Sequence, residues 1–309
     1  MEKKKTTTRL KPSAYIVLLG VAAGGLLAHP SVSAAPITFN TALPVAEGEF
    51  LIREQMIVNQ SDDDPSGVNR DRTETAAVTA LGYGISRKWA VFGVLPYRDI
   101  NLDLDSGGQR VNRSKRGFGD LTVFTRYTAY QKDQPGRTFR VAPFIGVKAP
   151  TGEDNASDSL GTLPPPAQVA SGSWDYFGGV VLTWQTLKYQ ADAQISYHIN
   201  NEANGFEAGN IARLDGSYQH RLWRSDSKGI PDYLYGVIEV NLIHQDKNRI
   251  SGNNDPNSNG TRLFLSPGIQ YVTRRWIAEA AVQIPVSQEL NGTALENDYI
   301  ARAGFRFNF

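Results

Sequence analysis

The chain has 309 residues and is almost neutral, with 32 lysine and arginine residues against 31 aspartate and glutamate residues, a net charge of +1. This balance leaves no basic excess for a phosphate backbone, so nucleic acid is not an expected partner. The chain contains no cysteine, which excludes a disulfide framework, a thiol nucleophile and a thiolate metal site. We expect no cofactor and no bound metal.

Residues 1–34 have the features of a secretory signal peptide. An apolar run at 15–28 is followed by small residues, and Val32 and Ala34 suit the positions before a cleavage site, so we predict cleavage after Ala34. The run is short for a transmembrane anchor. Removing this segment leaves residues 35–309 with 27 basic and 30 acidic residues, a net charge of −3. The basic residues that precede the apolar run are Lys3, Lys4, Lys5, Arg9 and Lys11.

Alternation of apolar and polar residues predicts twelve strands in residues 35–309. Each is roughly ten residues long, the length that a tilted membrane-spanning strand requires. The clearest alternation is at 187–199, where tyrosine, alanine and isoleucine share one face and polar residues share the other. Trp174 and Trp184, near the ends of one strand, suit the aromatic belts of a membrane barrel. The predicted spans are 46–58, 73–85, 88–101, 117–130, 138–149, 172–185, 187–199, 206–222, 232–246, 261–273, 275–287 and 298–309.

The connections between these strands alternate in length. Outer-membrane barrels show the same asymmetry, with short periplasmic turns and longer extracellular loops. The sequence therefore predicts an all-β fold, a transmembrane antiparallel up-and-down β-barrel of about 12 strands. The longer, polar segments are at 59–72, 102–116, 150–171, 200–205, 247–260 and 288–297, and the tighter turns are at 86–87, 131–137, 186, 223–231 and 274.

Three features near the strand ends could serve other purposes. The proline-rich segment 163–166 could fold inward as a constriction or cap the barrel from outside. His198, with two asparagines nearby, suggests the rim site of an outer-membrane hydrolase, but no serine is placed to be its nucleophile. The loop 255–260 begins like a calcium loop, yet Ser266 stands where the bidentate glutamate belongs. We therefore expect no catalytic residue and no metal site in these segments.

The last predicted strand ends in the sequence ARAGFRFNF. Phe305, Phe307 and Phe309 share one face with two alanines, and arginine, glycine and asparagine share the other. An aromatic last residue with aromatics two and four positions earlier resembles the terminal strand of bacterial outer-membrane barrels. We predict that these three phenylalanines are an assembly signal for the barrel-assembly machinery.

The polar faces of the predicted strands carry charges of both signs. A dry soluble core would have to pair every one of them, whereas a hydrated lumen removes that requirement. We therefore expect these charges to line a lumen, either segregated into a transverse field or, as we favour, paired with one another. The predicted lumen-lining residues are Asp120, Arg126, Lys148, Asp175, Asp192, Arg213, Asp215, Glu239, Arg262, Glu279, Arg302 and Arg306.

Several short segments resemble one known family. They are GFGDL at 117–121, GVKAPTG at 146–152 and the pair Gly178-Gly179. Over roughly residues 75–309 the chain is similar to the outer-membrane "phenol degradation meta-pathway" transporter-like family. The resemblance implies a barrel channel associated with import of aromatic or other hydrophobic carbon sources. The motifs themselves are mainly structural, with glycine at tight strand crossings and Pro-Thr-Gly at an exit from strand to loop.

Together these features predict a channel for passive uptake of small molecules, hydrophobic or aromatic ones among them, and not an enzyme. The alternative is a closed barrel with a surface role, as a rim hydrolase or as a structural or adhesive protein. We expect the outer membrane of a Gram-negative bacterium as the location, and a monomer. The expected partners are outer-membrane lipid and lipopolysaccharide, the barrel-assembly machinery and a small-molecule solute.

Overall fold

The computed structural model describes residues 34–225 and 231–309, so the predicted signal peptide up to residue 33 lies outside them. The fold is a closed antiparallel barrel of twelve strands, which confirms the predicted class and strand number. The strands are β1 Phe50–Ser61, β2 Asp71–Ser86, β3 Trp89–Ser106, β4 in three segments (Gln109–Phe118, Leu121–Tyr127 and Tyr130–Gln134), β5 Arg137–Ala149, β6 Asp175–Thr186, β7 Tyr189–Ile199, β8 Ile211–Arg224, β9 Tyr233–Gln245, β10 Gly260–Val272, β11 Trp276–Leu290 and β12 Tyr299–Asn308.

The ring closes where the last strand meets the first. β12 pairs with β1 from Leu51 opposite Asn308 to Gln60 opposite Tyr299. β4 is irregular, since its first segment pairs with β3, its last with β5 and its middle segment with both. Closure gives the backbone groups of the first and last strands a partner on each side, which is the condition for a sheet to span a bilayer.

The two ends of the barrel differ in their connections. Phe50 and Phe309 lie at one end together with the short turns, and we call it the turn end. The opposite end, called the loop end, carries the longer connections 62–70, 150–174, 200–210, 246–259 and 291–298.

One predicted loop is wrong. Residues 102–116 are not irregular but form a hairpin extension of β3 and β4. Its turn is Gly107-Gly108, and both glycines have positive φ (58° and 79°). Two such residues make the tight turn that matches strand twist, so the ladder continues to the tip despite a polar, charged sequence.

The outer and inner faces of the barrel differ in polarity. Large apolar side chains are exposed on the outer face, with Ile145 and Ile195 68% and 62% exposed. On β9 and β10 the interior holds polar side chains that are fully buried, among them Asn241, whose amide oxygen accepts hydrogen bonds from Ser266 Oγ and Gln283 Nε2. Such a network is stable only when its polar groups find partners, and here they find them inside the barrel.

Helices contribute little to the described residues. None of them is long and apolar enough to cross a membrane. The single helical element there is a 3-10 turn at Pro165–Ala167, within the connection 150–174.

Candidate functional site in the barrel lumen

A stretch of chain that precedes β1 lies inside the barrel at its turn end. Residues 35–46, which we call the lumen segment, run from the inner wall of β9 and β10 across to β2. Most of its apolar side chains are buried, with Ile37 and Ala42 only 1% and 0% exposed. The lumen segment therefore lies across the lumen at this end of the barrel.

Buried carboxylates hold the lumen segment through its backbone N–H groups and its threonine hydroxyls. Glu239 on β9 accepts hydrogen bonds from Ile37 N at 2.7 Å, Thr38 N at 3.0 Å and Thr38 Oγ1 at 2.6 Å. Asp192 on β7 accepts one from Thr41 Oγ1 at 3.1 Å. Hydrogen bonds from N–H and O–H donors offset the cost of burying a charge. These two predicted lumen acids thus bind the lumen segment.

Wall donors hold its carbonyl groups. Arg53 Nη2 and Gln55 Nε2, both on β1, donate to the Ile37 carbonyl oxygen at 2.9 Å and 3.0 Å. Arg126 Nη2 on β4 donates to the Leu43 carbonyl oxygen at 2.6 Å. Because partners come from opposite sides of the barrel, the lumen segment is fixed at both of its ends.

Two cavities lie in the barrel lumen. The loop-end cavity, about 950 Å³, lies between the wall and the connection 150–174, whose Pro166 and Val169 line it. The proline-rich segment therefore folds inward. The turn-end cavity, about 420 Å³, lies between the wall and the lumen segment. Val78 lines both cavities, so they are stacked along the barrel axis.

Phenylalanine rings form one wall of the turn-end cavity. Phe92 and Phe124 stack with their centroids 4.7 Å apart, and Phe144 and Phe177 lie 6.4 Å and 6.1 Å from Phe124. We call these four residues the phenylalanine wall. His198 continues it, with its ring stacked on Phe177 at 4.9 Å. This wall was not predicted from the sequence, because each ring comes from a different strand.

The predicted lumen charges pair in some places and not in others. Lys148 lies 3.8 Å from Asp120 and also contacts Asp175, and Arg213 lies 3.0 Å from Asp215. The favoured arrangement, pairing, therefore describes these five residues. Whether they set the selectivity of the lumen stays a prediction.

The other predicted charges have different partners. Glu279 pairs with Arg53, a residue that the sequence analysis did not include. Arg302 Nε donates to Gln283 Oε1, and Arg262 Nη2 donates to the Leu295 carbonyl oxygen. Arg306 lies opposite Arg53 in the pairing of β12 with β1, so two guanidinium groups are neighbours there.

The two family-like motifs meet at one carboxylate. Asp120 of GFGDL accepts hydrogen bonds from Thr151 N at 3.1 Å and Gly152 N at 3.2 Å, both from the KAPTG segment. Its other oxygen accepts Ser171 N at 2.9 Å. These bonds fasten both ends of the connection 150–174 to the wall, so the motifs position the loop that narrows the lumen.

The candidate rim site at His198 and the candidate calcium loop at 255–260 lack the contacts that catalysis or metal binding would need. His198 has no hydrogen bond to a serine among the described residues. In the loop 255–260, Asp255 accepts the backbone N–H of Asn257, an ordinary turn contact. Within residues 34–225 and 231–309 no group of three or more histidines or carboxylates could hold a metal ion.

The terminal phenylalanines lie at the closure of the barrel. Phe309 N donates to the Phe50 carbonyl oxygen at 3.0 Å, and Phe50 N donates to that of Phe309 at 2.7 Å. The Phe305 ring stacks on Trp276 at 5.6 Å, and Phe307 stacks on Phe309 at 5.9 Å. Their part in recognition by the assembly machinery stays a prediction.

The lumen segment itself was missed by sequence reasoning. Residues 35–46 lack both charge and a period of two, so they read as a simple linker between the signal peptide and β1. The available signal was the uncharged, apolar composition of the stretch, which is unusual for an exposed linker. Burial inside the barrel accounts for it.

The structure is similar to several solved structures. An outer-membrane channel from Pseudomonas putida F1 matches with a TM-score of 0.67 and 10% identity, over 90% of this chain and 100% of that one. The β domain of the Bordetella autotransporter BrkA matches with a TM-score of 0.48 and 12% identity, over 85% and 100%. The NanC porin matches with a TM-score of 0.42 and 15% identity, over 84% and 98%. At these identities the first match establishes the fold and nothing more.

Comparison of sequences gives the family. No curated protein matches the chain. The family described as "Putative MetA-pathway of phenol degradation" matches residues 64–292, well over half of the sequence. The matched region includes both motifs that meet at Asp120 and most of the barrel wall. The chain therefore belongs to this family.

Proposed function

We propose that this protein is a porin-like channel of the bacterial outer membrane that admits small molecules by passive diffusion, and that the lumen segment is its gate. The observation that carries the proposal is a closed barrel with two stacked cavities and, in the part of the chain that the structure describes, one segment across the turn end. The fold shared with an outer-membrane channel supports it. The phenylalanine wall on one side of the turn-end cavity supports hydrophobic or aromatic solutes.

The orientation follows from the connections. Outer-membrane barrels carry their long loops outside and their short turns in the periplasm. A solute would therefore enter the loop-end cavity, pass the inward-folded connection 150–174 and reach the turn-end cavity. The mechanism requires no covalent step and no cofactor, because the gradient of the solute drives the flux.

The lumen segment can act as a gate because it is not part of the barrel sheet. Its hydrogen bonds to the wall are made mainly with side chains of the wall. One backbone bridge, between Glu47 and Gly84, joins the chain to the sheet just before β1. The lumen segment can leave the lumen without breaking a strand pair. Leaving would remove the three hydrogen bonds that Glu239 accepts from the lumen segment and expose Ile37, so the closed state is the resting state.

Single-channel conductance in a planar bilayer tests the proposal. We expect brief or small openings for the intact protein and larger, steady openings for a variant lacking residues 36–45. Glu239→Ala, which removes the main acceptor, should lie between the two. The matched control is Glu74→Gln, which alters an acid in the loop-end cavity that is paired with Arg98 and does not touch the lumen segment. If the deletion variant stays silent, the channel proposal fails.

The second candidate is a closed barrel that acts at its surface, as a rim hydrolase or as a structural or adhesive protein. The extent of the bonding between the lumen segment and the wall favours it. It predicts that the intact protein never conducts, at any voltage or with any solute, even where the deletion variant does.

A further inference from the structure

We propose that the turn-end cavity is a binding site for a small aromatic carboxylate. This inference deepens the proposed function, on which it rests, because it names the class of solute. Three independent features of the cavity support it: the positive charge of its lining, the position of the phenylalanine wall, and two buried hydrogen-bond donors that have no acceptor among the described residues.

The lining of the turn-end cavity is positive. Four arginines contribute to it, Arg53, Arg126, Arg213 and Arg306, and no aspartate or glutamate does. The carboxylates that pair with two of these arginines, Glu279 and Asp215, lie outside the lining. A small cavity with this composition attracts anions, and its low-dielectric walls strengthen the attraction.

Two of these arginines are direct neighbours. Arg53 on β1 lies opposite Arg306 on β12 in the strand register. Like charges in directly opposed positions destabilise a sheet. Glu279 pairs with Arg53 and offsets part of this repulsion, and an anion bound in the cavity would offset it further.

Strand pairing brings rings and donors into one row. Across β4 to β8 the register places Arg126, Phe144, Gly179, Ser196 and Arg213 side by side. Gly179 has no side chain, and the Phe144 ring fills the space above it, so that the ring reaches toward Ser196. A ligand that stacks on the phenylalanine wall would therefore carry its polar group to the serine and the arginine.

Two buried donors in this row have no partner among the described residues. Ser196 is 5% exposed, and its Oγ makes no hydrogen bond. The same is true of Arg213 Nε, although Arg213 Nη2 binds Asp215. A buried donor without an acceptor is costly, which is why such groups point to a ligand. A carboxylate can accept from a hydroxyl and a guanidinium together.

The size of the cavity fits one ring. Its 420 Å³ falls in the range of small-molecule sites, about 300–1,000 Å³. The phenylalanine wall offers faces for offset stacking, and Arg126 already lies 4.9 Å from the centroid of the Phe92 ring. Benzoate is therefore a suitable probe, since it joins one flat ring to one carboxylate.

Isothermal titration calorimetry of the intact mature protein in detergent micelles tests the proposal, with empty micelles as the blank. We expect saturable binding of benzoate. Benzyl alcohol keeps the ring without the charge, and acetate keeps the charge without the ring. Each should bind at least about tenfold more weakly than benzoate. Equal binding of benzoate and benzyl alcohol, or no saturable heat with benzoate, would overturn the proposal.

Variants locate the site. Ser196→Ala should weaken benzoate binding about tenfold, since it removes a hydrogen bond to a charged group. Phe144→Leu should weaken benzoate but leave acetate unchanged. Ser287→Ala, an exposed serine on β11 outside the cavity, is the matched control and should bind as the wild type does. Heat-modifiable migration on gels verifies that each variant is folded.

Calorimetry also separates this proposal from the channel proposal, because it does not require an open pore. If the protein binds benzoate but neither it nor the deletion variant conducts, the site stands and the channel falls. If the protein conducts but no aromatic carboxylate binds, the channel stands and the site falls.

Discussion

Phe92, Phe144 and Phe177 each lie opposite a glycine on a neighbouring strand. With no side chain at Gly82, Gly179 or Gly146, each ring can lie against bare backbone of the next strand and leave the cavity open. Glycine in a strand interior ordinarily weakens a sheet, and its use here is explained by this close approach. The two glycine positions singled out in the sequence, in GVKAPTG and in the Gly178-Gly179 pair, thus shape the lumen.

Gly146→Ala tests this explanation. A Cβ at position 146 would lie 2.5 Å from Phe124 Cβ and closer still to the Phe177 ring, so a ring has to move. Overpacking of this kind costs about 1–3 kcal/mol of unfolding free energy. Urea denaturation in lipid vesicles measures it. Gly93→Ala is the control, since a Cβ there meets nothing within 4 Å and should change stability little. Equal effects of the two substitutions would refute the explanation.

Val180, at the middle of β6, tests the lipid-facing surface. Its side chain is exposed on the outer face, in the same row as Tyr176 near the strand end. We expect Val180→Arg to cost about 2–4 kcal/mol at the bilayer midplane and Tyr176→Arg only about 0–1 near the interface. Reversible unfolding in vesicles gives both values. A neutral Val180→Arg would mean that this face of β6 does not contact lipid.

At the scale of elements, the pairing of β12 with β1 is continued by hydrogen bonds as far as Phe309. Phe309 and Phe50 exchange two backbone hydrogen bonds, and their rings stack 5.7 Å apart. The joint is formed by strands at opposite ends of the sequence, so it carries the longest loop closure in the fold. We therefore expect assembly to depend strongly on Phe309, which completes this joint.

Deleting Phe309 should reduce the fraction of protein assembled in the outer membrane, because both hydrogen bonds and the ring are lost. Phe309→Ala keeps the backbone bonds and removes only the ring, so it separates the two contributions. Fractionation of membranes followed by heat-modifiable gel migration measures assembly. Normal assembly of the shortened chain would contradict the predicted assembly signal at Phe305, Phe307 and Phe309.

The connection 62–70 depends on a charge outside the membrane. Burial works to raise the pKa of Asp64, but hydrogen bonds from Arg70 and Ser66 outweigh it and hold that pKa well below the usual range. Arg70 also donates to the Thr293 carbonyl oxygen, so this carboxylate orders two loops together.

Since the folded pKa of Asp64 is depressed, its contribution is complete above the unfolded value, about 3.9, and is lost as the pH falls through the folded value. We expect the amides of Ser66 and Arg70 to stay protected from hydrogen exchange at about pH 4 and to lose protection only in stronger acid. Asp64→Asn should remove the protection at every pH. Exposed Asp63→Asn is the control, and an equal effect there would contradict the assignment.

For the whole molecule, features that recur in every strand could be predicted from the sequence, and features that depend on contacts between distant strands could not. Strand number, closure and the two faces follow from the period of two, which each strand displays by itself. The phenylalanine wall and the opposed Arg53 and Arg306 depend on register between strands, which one sequence does not reveal. The lumen segment is harder still, because its partners, such as Glu239, lie about two hundred residues away. The uncharged composition of the segment indicates burial, but the local pattern does not show which residues it contacts.

The gate can be tested reversibly because the chain contains no cysteine. Thr41 Oγ1 of the lumen segment and Thr183 Oγ1 of β6 lie 3.1 Å apart, close enough for cysteines at both positions to meet. We expect the oxidised Thr41→Cys/Thr183→Cys protein to be silent in a planar bilayer, and a reductant to restore openings like those of the wild type. The conductance of each single-cysteine variant should be unchanged by the reductant. Undiminished conductance of the oxidised double variant would show that solutes pass without moving the lumen segment, which would then be part of the pore wall rather than its gate.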